Sequence, residues 1–194
     1  MAIFRIIASL IVAILPLTGC AFTTGHVDLS YQPMTKVTKV AQPDSPSVNV
    51  EVSDKRPNPV VGEKINGFGM KTADIVSNND IPALLKSAFE TELNSRGFTA
   101  GRNGNTVHVQ LDNFQNQFTL GFASGDATAS IGMDVSIVRA DGAVPYKQYI
   151  TAQTKDWIEV AGEDNAQRML DAALHDAVAK VFNDNAFIDA LEKR

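Results

Sequence analysis

Cysteine occurs once in these 194 residues, at position 20, so no disulfide can close within the chain. Histidine occurs three times, at 26, 108 and 175, and no pair has a metal-ligand spacing such as HExxH. No metal site and no cofactor is expected. Basic residues are in deficit, 17 Lys+Arg against 22 Asp+Glu. That excludes the basic patch a nucleic-acid binder needs to neutralise phosphates. A GxSxG nucleophile elbow is lacking, and Asn66-Gly67-Phe68-Gly69 lacks the third glycine of a dinucleotide fingerprint. The apolar stretch from Ile6 to Pro16 is too short to span a bilayer as a helix.

What is present begins with that stretch. A positive start with Arg5, the apolar run and the small residues Thr18-Gly19 form the three regions of a secretory signal peptide over 1–19. The four residues Leu17-Thr18-Gly19-Cys20 resemble the lipobox of bacterial lipoproteins. The resemblance implies that Cys20 is the lipid attachment site and the first residue of the mature chain, carrying three acyl chains. Two or more chains anchor stably, at about 0.8 kcal/mol per buried methylene. The membrane is thus the first expected partner. Ala21, rather than aspartate, follows the cysteine. In such lipoproteins this favours the periplasmic leaflet of the outer membrane. Without Arg5 the mature chain keeps 16 basic residues against 22 acidic, a net charge of −6.

Residues 20–45 read as a polar, proline-containing tether with a reach on the order of 25–30 Å. Its part VDLSYQP, from Val27 to Pro33, alternates enough to pack along the domain instead. Residues 46–194 suit one domain with one core.

Within it, SVNVEVSD from Ser47 alternates as a half-buried strand, and the Gly-rich 60–77 reads as a loop followed by a short strand ending at Val76. Asp80 is placed to cap a helix with Pro82 in its first turn, and Gly97 ends it. TVHVQLDNF is a strand whose apolar phase shifts after Leu111, which predicts a bulge. Ala127 to Ile137 alternates cleanly, Asp141-Gly142 supplies a turn, and YKQYITAQTKDWI returns. A wide apolar stripe marks a helix over 164–182, followed by a short helical tail over 184–191. The expected fold class is α+β: a two-layer sandwich, with a mainly antiparallel sheet of about 4–5 strands and two helices packed on one face.

The lipobox, the VNVEVSDKR strand end, the DIPALLKSAFETELNSRGF helix, the three-strand meander and the Ala-rich terminal helix together resemble the YajG-type lipoprotein family. This resemblance implies an outer-membrane-anchored periplasmic lipoprotein and is nearly silent on activity. The layout also looks like small domains of other envelope lipoproteins that assist transport machines or regulate cell-wall synthases. That likeness is one of fold, which does not fix function.

Few residues stand out as a site. The opposite charges of Asp54 and Arg56 at a strand end suit a structural ion pair. Phe118, Leu120 and Phe122, in a glycine-flanked connection, are candidate partner contacts unless they fold into the core. Glu159, Glu163 and Asp164 precede the last long helix, where carboxylates favour the positive end of its dipole. The expected function is a non-enzymatic module for an envelope protein or glycan partner. The alternative is a lipid-handling accessory of envelope transport, and an envelope hydrolase ranks third.

Overall fold

The structure is a computed structural model that describes residues 22–120 and 124–193. Among the described residues seven strands and three helices follow in the order β1 (Gly25–Val27), β2 (Val48–Asp54), β3 (Val60–Ile65), β4 (Lys71–Ser77), α1 (Ile81–Ser95), β5 (Asn105–Leu120), β6 (Gly125–Val138), β7 (Tyr146–Ile158), α2 (Glu163–Phe182) and α3 (Asn185–Glu192). The fold is α+β. Its main sheet has the order β2-β5-β6-β7, with β2 parallel to β5 and the other pairs antiparallel.

A second sheet, β1-β4-β3, corrects the expectation of a single one. The segment 60–77 is a hairpin rather than a loop and a strand. Its glycines mislead because they serve the turn: Asn66 Oδ1 accepts from the Phe68 and Met70 N–H groups at 3.0 and 3.1 Å, and Gly69 takes φ +76°.

Alternation on the strands sets which face is buried. Val107, Val109 and Leu111 face the helices; the register then skips Asp112, and Phe114 takes over the inward phase. α1 is capped by Asp80, whose Oδ1 accepts from Ala83 N–H at 3.1 Å. It closes with the Gly97 N–H bonded to Asn94 O and the Phe98 N–H to Leu93 O, a Schellman end that needs Gly97 at φ +92°. Glu163 and Asp164 lie in the first turn of α2 and Lys180 in its last, which complements the helix dipole. The core between helices and sheet includes the packed rings of Phe89, Phe182, Phe187 and Tyr146.

The N-terminal segment corrects the tether. β1 pairs in parallel with β4, and Val27 and Leu29 are buried. The Tyr31 hydroxyl donates to Glu92 Oε1 at 2.8 Å, and Met34 N–H donates to the same oxygen at 2.9 Å. Farther on, the Val40 and Ala41 N–H groups both donate to Arg96 O. The alternating apolar residues of VDLSYQP are what the polar composition of the stretch conceals. Residues 1–21, on which the expected signal peptide and the expected lipid attachment at Cys20 fall, lie outside the described residues.

Candidate binding surfaces

Helices cover one side of the main sheet, so side chains of the opposite phase form an open polar face. The register lines them up in rows. Glu51, His108, Ser136 and Lys147 stand side by side across the four strands, and Ser53, Gln110, Asp134 and Tyr149 form the next row. Between them lies a shallow depression of about 410 Å³. Glu51 Oε2 is 3.3 Å from His108 Nδ1, and Glu51 Oε1 accepts from Asn49 Nδ2 at 3.0 Å. Asp134 and Lys147 make no ion pair among the described residues. Beside the exposed Glu51 carboxylate, the face thus carries one carboxylate and one ammonium without ion pairs.

A second groove, about 430 Å³, runs between β3 and the part of β5 beyond the bulge, lined by Asn58, Gln115, Gln117 and Thr119 among others. The two strands approach closely here. A Cβ at Gly62 would come 3.3 Å from the Asn116 carbonyl oxygen. Asn116 itself is buried, and neither atom of its side-chain amide has a hydrogen-bond partner.

The residues singled out in the sequence fall as follows. Asp54 and Arg56 do meet. Arg56 Nη2 is 2.7 Å from Asp54 Oδ2, Nε donates to both carboxylate oxygens at 3.0 and 3.2 Å, and the Arg56 N–H adds a bond of 3.0 Å. The guanidinium donors outweigh burial and hold the Asp54 carboxyl below the usual carboxylate range. Phe118 and Leu120 are not in a connection. β5 runs through them, paired to Ala127 and Gly125, and both are half-buried against the core. Phe122 lies outside the described residues.

The three histidines are dispersed. His26 Nδ1 is 3.0 Å from Asn78 Oδ1, His108 sits on the open face, and His175 Nδ1 is 2.9 Å from Gln32 O. Among the described residues no cluster suited to a metal ion forms. Glu163 pairs with Lys64 at 2.6 Å. Sequence reading missed Asp134 and Lys147 as diagonal neighbours on this face, Asp134 opposite Tyr149 and Lys147 opposite Ser136. The clean alternation of β6 carried the signal for Asp134, but only the strand register brings Lys147 beside it.

A family described as uncharacterized lipoprotein matches residues 33–192 of this chain, in agreement with the resemblance read from the sequence. No curated protein matches it. Among solved structures, a Xanthomonas campestris protein is similar at 12% identity and a TM-score of 0.55, over 82% of this chain and 92% of that one. A putative neuraminyllactose-binding hemagglutinin homolog from Helicobacter pylori is similar at 9% identity and a TM-score of 0.50, over 84% and 98%. A minor lipoprotein from Acinetobacter baumannii aligns at 10% identity and a TM-score of 0.47, over 77% and 96%. At these identities the first two likenesses are of fold.

Proposed function

This chain belongs to a family of uncharacterised lipoproteins, and from that premise we propose that it is a non-enzymatic binding module of the outer membrane, held in the periplasmic leaflet by acylated Cys20. Its partner is an envelope protein that docks on the open face of the main sheet. The observation that carries this reading is the pair of charges without ion pairs, Lys147 and Asp134, within the polar rows that start from Glu51 and Ser53. A protein segment brings both an ammonium and a carboxylate to such a face, whereas a neutral glycan matches neither.

The chemistry of the face supports binding over catalysis. The His108 and Glu51 side chains are 44% and 58% exposed, so the only acid–base pair there works in bulk water. Lipid carriage is less well supported. Where α1 and α2 meet the sheet, at Leu85, Leu111, Phe114, Ile131 and Leu174, no room remains for a water molecule, let alone an acyl chain.

The test is crosslinking in living cells from a photo-reactive residue at Ser136, with the same residue at Lys86 on the helical side as comparison. A discrete protein adduct from Ser136 that is lost in Asp134→Lys or Lys147→Glu supports the reading. Adducts of glycan or lipid alone, or equal capture from both positions, overturn it.

A further inference from the structure

Among the described residues seven large apolar residues are more than half exposed, and five of these gather at one end of the domain. We infer that this end, marked by Phe22, Phe68, Met70, Trp157 and Val160, rests on the lipid surface that holds the acyl anchor; this rests on the lipoprotein reading above.

Topology places these residues together. β3 runs beside β5, with Gly62 against Asn116, and the groove between them reaches Gly69 and Thr119. The β3–β4 turn, with Phe68 90% exposed and Met70 next to it, therefore lies at the end where β5 turns into β6. β7 finishes at that same end, since Ile158 pairs with Gly125 and Trp157 with Asp126. Trp157 is 54% exposed, and Val160 follows in the link to α2.

The N-terminus arrives from the same side. β1 is parallel to β4 and starts at Gly25 opposite Ile75, so the chain preceding it comes from the Lys71 end, where the turn is. A Cβ at Gly25 would meet Lys64 and Glu163 side chains, which puts β1 beside the first turn of α2. From there the chain climbs away from this end along α2, meeting Gln167, then Asp171, then His175.

Chain length selects the occupant. Four residues lie between Cys20 and Gly25, and the five steps along the chain reach at most about 18 Å when fully extended. That is far less than the reach of a 26-residue tether counted from 20 to 45. A domain leashed this tightly turns the end nearest the anchor towards the bilayer. An exposed Trp with neighbouring Phe, Met and Val is the composition that partitions into a membrane interface.

Nearby charges are mostly paired and leave a small negative excess, since Lys71 serves two carboxylates and Glu159, between Trp157 and Val160, has no ion pair among the described residues. Lys71 pairs with Glu63 and Asp74, Lys64 with Glu163, and Lys155 with Asp126. Contact is therefore apolar, and it should not require anionic lipid.

Trp157 is the sole tryptophan, so its emission reports this end alone. The experiment uses the full acylated protein in phosphatidylethanolamine–phosphatidylglycerol vesicles carrying a spin-labelled lipid, with flotation as the measure of anchoring. The expected result is flotation, loss of Trp157 emission to the lipid-borne label and protection from aqueous iodide. Phe68→Ser with Met70→Ser should weaken the quenching while flotation and circular dichroism stay unchanged. Flotation with Trp157 open to iodide and untouched by the label overturns the inference and leaves the anchor standing. Failure to float overturns both. Protection from both quenchers, with copies of the chain crosslinked to each other, assigns the patch to self-association and overturns the bilayer as its occupant.

Discussion

Asp171, on α2, accepts two hydrogen bonds from Ser30, one from the backbone N–H at 2.9 Å and one from the hydroxyl at 3.1 Å. The same spacing repeats on either side. Asp28 N–H donates to Gln167 Oε1, and His175 Nδ1 meets Gln32 O. Two residues of extended chain advance about 6.6 Å and four residues of helix about 6.0 Å, so the steps 28, 30, 32 and 167, 171, 175 stay in register. Asp171→Ala removes the central bond pair. It should lower stability by about 1–2 kcal/mol in urea unfolding and open residues 28–45 to limited proteolysis. Unchanged proteolysis would show that β1 and the Glu92 contacts hold the strap unaided.

Glu92 and Arg96 form the most buried ion pair among the described residues, at 2.6 Å, with the guanidinium 4.6 Å over the centre of the Phe182 ring. Burial pushes the Glu92 carboxyl up, but the donors Met34 N–H, Arg96 and Tyr31 outweigh it and leave its pKa lowered. A depressed carboxyl pKa contributes stability above the unfolded value of 4.5, and that contribution is lost as pH falls through the folded value. Glu92→Ala strands a buried guanidinium and should cost about 3–5 kcal/mol at pH 7. Its unfolding free energy should then fall less than that of the wild type below pH 4.5. Parallel acid profiles for the two proteins would contradict this account.

Asn116 gives the opposite sign. Its amide is buried without partners, at a cost of about 1–3 kcal/mol. Asn116→Leu keeps the side-chain shape and removes the unpaired polar atoms. The melting temperature should rise, by about 2–4 °C per kcal/mol recovered in a domain of this size. Differential scanning calorimetry reads this directly, and a fall would mean that the amide is satisfied in solution.

How far the sequence discloses this fold depends on where the partner of each residue lies. α1, the β5 bulge, β6 and α2 are all legible, because cap, period and phase shift are local signals. The Gly97 close of α1 is legible for the same reason. Residues 27–33 are legible only as an alternation that leaves tether and packing both open, and 60–65 read as loop, because what orders them is distant. Val27 and Leu29 bury against elements at least 50 residues away, as the Leu29 bond to Asn79 shows. Glycines that read as loop in 60–77 serve one tight turn and one close strand approach. The candidate site fares the same way: Asp54 and Arg56 meet because only Lys55 lies between them, while Asp134 and Lys147 are diagonal neighbours only through the register of β6 with β7.

The Asp54–Arg56 pair separates a structural role from a recognition role. Arg56 is 7% exposed along its side chain and Asp54 25%, at the exit of β2 where Lys55 N–H still bonds to Leu111 O. The geometry is that of a clamp: one guanidinium holds the carboxylate with two donors while its own N–H adds a third. Arg56→Ala should lower stability by about 1.5–3 kcal/mol at pH 7, since charge-assisted bonds in partial burial are lost together. Part of that loss should vanish as pH falls below the ordinary aspartate value of 3.8, because the depressed carboxyl pKa contributes only while the carboxylate is ionised. Arg56→Lys, which keeps the charge but not the fork, should recover a minority of the stability. If Arg56→Ala instead melts like the wild type while the Ser136 adduct disappears in cells, the pair belongs to the partner surface and the clamp is the wrong reading.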